Sequence, residues 1–122
     1  MMENMPIGLL LSDDLIDSSR VTTTGKSFNL TIKQMRTWSQ LVEQLQSNAV
    51  SCIIVDLHHP ELQLEELIRL SQSQSTKPKI IGYGSHVDAV RLKSARQSGL
   101  DQVMPRSQFF EELNTKLPNW FS

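Results

Sequence analysis

Five short apolar runs recur along the chain, each followed by a longer amphipathic stretch, and this alternation narrows the available folds more than any other feature. The runs are IGLLL (7–11), NLTIKQM (29–35), VSCIIVDL (50–57), KIIGYG (79–84) and DQVMP (101–105). They are mostly continuous rather than polar–apolar alternations, the pattern of strands covered on both faces. Between them, TWSQLVEQLQSNA sets Trp38, Leu41, Val42 and Leu45 at helical spacing, and LQLEELIRLSQ does the same with Leu64, Leu67 and Ile68. HVDAVRLKSARQSG brings Val87, Val90 and Ala95 toward one side and stops at Gly99, a natural C-cap. SQFFEELNTKL opens on Ser107 as N-cap, carries Glu111 in its first turns, and buries Phe109 or Phe110 with Leu113. The weakest helix lies in LIDSSRVTTTGKSF, where Thr22, Thr23, Thr24 and Gly25 are poor helix formers; the pattern predicts a helix over Ile16–Thr24. Five βα units joined by right-handed crossovers give an α/β fold, a parallel sheet with helices on both faces.

With 122 residues the chain is expected to form a single domain, 1–122, large enough for a real core. Its 12 Lys+Arg against 13 Asp+Glu leave a net charge of -1, which gives no electrostatic footprint for nucleic acid or for a membrane surface. Cys52 stands alone in an apolar run and reads as a small buried hydrophobe in a reducing compartment. MMENMPIGLLLSDD has no basic leader and too short an apolar core for a signal peptide or a membrane span, so a cytoplasmic location is expected.

In a sheet of this class, ligands sit at the carboxyl ends of the strands, near the point where the winding reverses. That rule selects Ser12, Asp13 and Asp14 after the first run, Asp56 at the end of the third, Gly84 and Ser85 after the fourth, and Arg106 after the fifth. With strand order 2-1-3-4-5 the first and third strands are neighbours, so Asp13, Asp14 and Asp56 approach one another. Crowded carboxylates repel and raise each other's pKa. A hard divalent cation such as Mg²⁺ relieves this, because it favours oxygen ligands and keeps several waters. A carboxylate beside such an ion can attack a phosphoryl group.

These residues resemble the receiver domain of bacterial two-component response regulators. The resemblance spans essentially the whole chain. It rests on the acidic pair Asp13–Asp14, on Asp56–Leu57–His58–His59–Pro60 as an Asp-x-x-x-Pro run, and on Ala95-Arg-Gln-Ser-Gly99-Leu-Asp101 before the fifth strand. It implies a flavodoxin-like three-layer α/β/α sandwich. It further implies Asp56 as phosphoacceptor and Mg²⁺ as cofactor, held by Asp13, Asp14, Asp56 and the backbone carbonyl of His58. The implied partners are a histidine kinase or phosphotransfer protein upstream, and downstream a protein bound through the fourth helix, fifth strand and fifth helix. Nucleic acid and membrane are not among the implied partners, and a homodimer stays open. Such a chain is not an enzyme beyond Mg²⁺-dependent self-phosphorylation and hydrolysis of its own phosphoryl group.

Several positions depart from the family pattern. Gly84 stands where the family carries Ser or Thr, and Ser85 is next in line to supply the hydroxyl. Arg106 replaces the family lysine, Ser107 replaces the cis-proline after it, and Val103 occupies the aromatic switch position. A planar guanidinium is not equivalent to a compact ammonium. A phosphorylation-independent interaction module of the same fold is therefore the alternative.

Plainer readings stand beside these. Asp56 alone could start a turn, and Asp13–Asp14 could complement a helix dipole. His58, His59 and His86 lack the spacing of a transition-metal site and read as solvated loop residues. Gly25–Lys26–Ser27 lacks the earlier glycine of a phosphate loop. Trp38 and Trp120 read as packing residues, with Trp120 and Phe121 otherwise free to form an apolar patch for a partner or a second copy. A flavin or nucleotide site would need a glycine- or hydroxyl-rich loop after the first strand, where this chain offers two acids.

Overall fold

The computed structural model describes residues 6–121. Five strands and five helices alternate: β1 (Ile7–Leu11), α1 (Leu15–Ser27), β2 (Ile32–Met35), α2 (Trp38–Ser47), β3 (Val50–Asp56), α3 (Leu64–Gln72), β4 (Lys79–Gly84), α4 (Ala89–Ser98), β5 (Gln102–Pro105) and α5 (Arg106–Trp120). The strands form one sheet of order β2-β1-β3-β4-β5, and every neighbouring pair is parallel. This is the parallel α/β sheet that the βα alternation predicts, in the flavodoxin-like sandwich that the resemblance implies.

Alternate side chains of each strand enter opposite layers. Leu9, Leu11, Ile53 and Val55 join Leu41, Leu45, Leu67 and Leu92 beneath α2, α3 and α4. Leu10, Cys52, Ile54, Ile81 and Tyr83 join Val21, Phe109, Phe110, Leu113 and Trp120 beneath α1 and α5. Both phenylalanines of α5 are buried, and Trp120 stacks on Phe109 with ring centroids 5.6 Å apart. Trp120 is therefore a packing residue. No helix among the described residues is long and apolar enough to cross a membrane.

Four local expectations need correction. α1 runs to Ser27 rather than Thr24, because packing of its buried side at Val21 and Gly25 overrides propensity; Ser18, Thr22 and Ser27 each turn a hydroxyl back onto a carbonyl one turn earlier. β2 begins at Ile32, not Asn29: the N–H groups of Phe28 and Leu30 both bond the Gly25 carbonyl, closing α1, with Asn29 at a φ of 59°. Ser107 does not cap α5, which starts at Arg106 with Pro105 in the cap position. The fixed φ of proline suits a helix entry without a side-chain cap. Finally, Val87 and Val90 are exposed, while α4 turns Leu92 and Ala95 inward. Val90 lies two residues from Leu92, which places it on the opposite side of the helix.

Candidate functional site

The register of the sheet carries the sequence-selected residues to one rim. Leu11 pairs with Val55, Asp56 with Tyr83, and Gly84 with Pro105. The residues immediately beyond these strand ends therefore share the carboxyl edge, with Asp56 on the central strand. A cleft of about 660 Å³ opens there, and Asp56, Tyr83, Ser85, His86, Arg20 and Arg106 are among the residues that line it.

The three acids have different occupations. Asp14 is the N-cap of α1: its Oδ1 accepts from the N–H groups of Ile16 and Asp17, both at 2.9 Å. Asp13 is half exposed, and its Oδ1 lies 3.4 Å from His59 Nε2. Asp56 is partly buried and accepts from the His58 N–H at 2.9 Å through Oδ1. This is the turn bond an aspartate makes two residues on, and Oδ2 takes no part in it. Asp14 thus sits at the helix start, where its charge complements the dipole, and it also caps the helix. Among the described residues no three of His, Cys, Asp and Glu gather as a group able to hold a metal ion.

The histidines divide. His58 is exposed, and its Nε2 accepts the Ser85 N–H at 3.0 Å, tying the β3–α3 loop to the β4–α4 loop. A Cβ at Gly84 would stand 3.1 Å from that same nitrogen, so glycine there leaves room for the imidazole. The Ser85 hydroxyl accepts from the Val87 N–H at 3.3 Å. His59 is buried, contrary to its reading as a solvated loop residue. Its Nδ1 accepts from the Glu61 N–H at 3.1 Å, so the proton sits on Nε2, which donates to the Arg36 carbonyl at 2.8 Å. Both ring nitrogens are satisfied, which is why the ring can be buried. Glu61 also accepts the Trp38 N–H at 2.8 Å, so this loop holds the start of α2 as well.

Arg106 is half exposed and makes a two-pronged ion pair with Asp17, NH1 to one carboxylate oxygen and NH2 to the other. Asp17 is fully buried. The hydrogen bonds that Arg106 donates to Asp17 raise the Arg106 pKa above its ordinary value, against the opposing effect of desolvation. Arg106 lies 5.1 Å, and Arg20 4.1 Å, from the centroid of the Phe110 ring. The Tyr83 hydroxyl reaches Asp17 Oδ2 at 3.4 Å. Burial pushes the Tyr83 phenol well up, a hydrogen bond with Ser12 opposes this, and the charges of Asp56 and Asp17 add to it.

Asp17 and Tyr83 are the residues that motif matching passes over. Tyr83 lies on β4, away from the aromatic switch position held by Val103 on β5. Asp17 did leave a signal: it shares an i, i+4, i+8 stripe with Val21 and Gly25, the buried side of α1. An acid on a buried stripe demands a partner.

No protein-family model matches the sequence, and no curated protein does. Solved structures do match in shape. A response regulator from Thermotoga maritima superposes with a TM-score of 0.78 at 12% identity, covering 96% of this chain and 98% of its own. A response regulator from Hahella chejuensis gives 0.79 at 15%, covering 95% of each chain. A response regulator signal receiver domain from Bermanella marisrubri gives 0.77 at 19%, covering 94% and 97%. The strand order, the five βα units and these near full-length superpositions agree: the chain has the fold of response-regulator receiver domains.

Proposed function

We propose that the chain is a receiver of two-component signalling, accepting a phosphoryl group on Asp56 from a histidine kinase or a phosphotransfer protein. The observation that carries this is the place of Asp56: a partly buried carboxylate at the end of the central strand, in a cleft shared with Ser85 and Arg106. One Asp56 oxygen is occupied by the His58 N–H, which orients the group and leaves the other to attack phosphorus. As the new O–P bond forms, the bond from phosphorus to the donor's nitrogen breaks, and the donor leaves with that electron pair. The product is an acyl phosphate, which water later cleaves to regenerate Asp56.

The oxygen chemistry fits Mg²⁺, which is commonly held by one or two carboxylates and completes its shell with water. Asp13, Asp14 and Asp56 would hold it with the His58 carbonyl; the capping bonds of Asp14, like the turn bond of Asp56, use Oδ1. When bound, the ion would neutralise charge on the transferring group. Ser85 would bond a phosphoryl oxygen through its hydroxyl, and Arg106 would supply the second positive charge. Output would pass to a protein partner through the α4–β5–α5 face, where the half-buried Val103 stands in place of an aromatic switch.

Incubation with Mg²⁺ and acetyl phosphate, followed by intact mass, tests the reading. A base-labile phosphoryl adduct absent from Asp56→Asn is expected. Absence of an adduct, together with an unchanged amide spectrum on addition of Mg²⁺, would refute it. The second reading is an interaction module that works without phosphorylation. It is favoured by the pairing of Arg106 with Asp17, the capping role of Asp14, and Gly84 at the position of the family hydroxyl.

A further inference from the structure

The ion pair at the rim of the cleft ties the proposed phosphoryl site to a second carboxylate outside the family motif. Asp17 is fully buried, and its only cationic partner among the described residues is Arg106. Arg20 lines the same cleft but lies over Phe110. Both terminal nitrogens of Arg106 are engaged by Asp17, yet the side chain remains 47% exposed on the cleft side. The Tyr83 hydroxyl, within reach of Asp17, also feels the charge of Asp56, so the two acids flank one phenol.

We propose that Asp17 is a positioning residue that withholds Arg106 from Asp56, so that an arriving phosphoryl group competes with an internal carboxylate for one guanidinium. This rests on the receiver reading. A buried carboxylate stripped of its cation is costly, so the fork leaves Asp17 only for a stronger anion. An acyl phosphate is a stronger one: it has more charge than a carboxylate and more acceptor oxygens. Asp17 therefore sets a threshold. It slows capture of the phosphoryl group and makes the α1–α5 contact responsive to it, since Asp17 is on α1 and Arg106 on α5.

Asp17→Asn keeps the shape and removes the competing charge. Inorganic phosphate is titrated into the wild-type and variant proteins while the Arg106 Nε–H and Ser107 amide resonances are followed. Both signals are expected to shift in the variant at about tenfold lower phosphate than in the wild type. Equal midpoints, or no response in the variant, would overturn the proposal. Should Asp17→Asn fail to fold, Asp17→Leu removes the same charge from the buried site while leaving the Arg106 guanidinium intact. The Ser107 amide should again respond at lower phosphate than in wild type, and a midpoint equal to or above the wild-type one would overturn the proposal. Acetyl phosphate adducts measured in parallel keep the two readings apart. No adduct in any protein would count against Asp56 as acceptor, while the phosphate titration still decides whether Asp17 holds Arg106.

Discussion

The two layers that cover the sheet are built from different chemistry. Beneath α2, α3 and α4 the cluster is essentially aliphatic, and shape alone holds Leu9, Ile53 and Val55 against Leu41, Leu67 and Leu92. Beneath α1 and α5 it is aromatic: Tyr83 stacks on Phe109 at 4.6 Å, and Phe109 meets Phe110 edge-on at 4.9 Å. That second layer also contains Cys52, and the buried Asp17 reaches into it through Tyr83. The difference shows how this fold separates stability from responsiveness. A layer of aliphatic contacts has one arrangement, whereas a layer holding a buried charge pair depends on whether the pair stays closed.

The largest expected effect comes from opening that pair. Arg106→Ala leaves Asp17 buried without a cation and should destabilise the fold by about 3–5 kcal/mol in urea unfolding. The double variant Asp17→Leu/Arg106→Met should recover most of the loss, because burying neither charge is often as good as burying both. A single variant as stable as wild type would erase the contrast between the layers.

Alkaline titration separates the layers next. Burial pushes the Cys52 thiol up to about 12, and the Tyr83 phenol is also raised. A raised folded pKa means the unfolded chain loses its proton first. Stability is therefore complete below the ordinary thiol range, about 8.5, and falls as pH rises toward the folded value. Cys52→Ala should flatten that decline between pH 9 and 11 in thermal melts. An unchanged slope would mean that the thiol does not contribute.

The smallest effect belongs to the aliphatic layer. Ile53→Val removes one methylene from a fully buried site and should cost about 0.5–1.5 kcal/mol. The Arg106 Nε–H resonance should not move. A shift there would show that the two layers are mechanically coupled through β3.

Much of the architecture is legible in the residue pattern because both periodicities are local. Runs such as SCIIV can be covered on both faces only as central strands, and the spacing of Leu41 and Leu45 or Leu64, Ile68 and Leu67 is that of helices. The residue pattern and the structure part where packing and backbone bonds override propensity. The Thr22 hydroxyl bonds a carbonyl of its own helix, and Asn29 uses a left-handed conformation to close α1. Val90 is apolar yet lies outside the core, because Leu92 and Ala95 set the buried side of α4.

At the site, the sequence by itself determined which residue types arrive at the rim: Asp56 ends a strand and Asp13, Asp14, Ser85 and Arg106 follow one, and parallel strands deliver their ends to one edge. What only the tertiary structure decided is how those groups are occupied. Asp14 turns to the N–H groups of α1, His59 is buried because Glu61 and Arg36 satisfy both its nitrogens, and Arg106 bonds an acid 89 residues earlier in the chain. Strand periodicity is a property of neighbours in sequence. The partner of a charge is chosen by burial, and burial exists only once distant helices have packed.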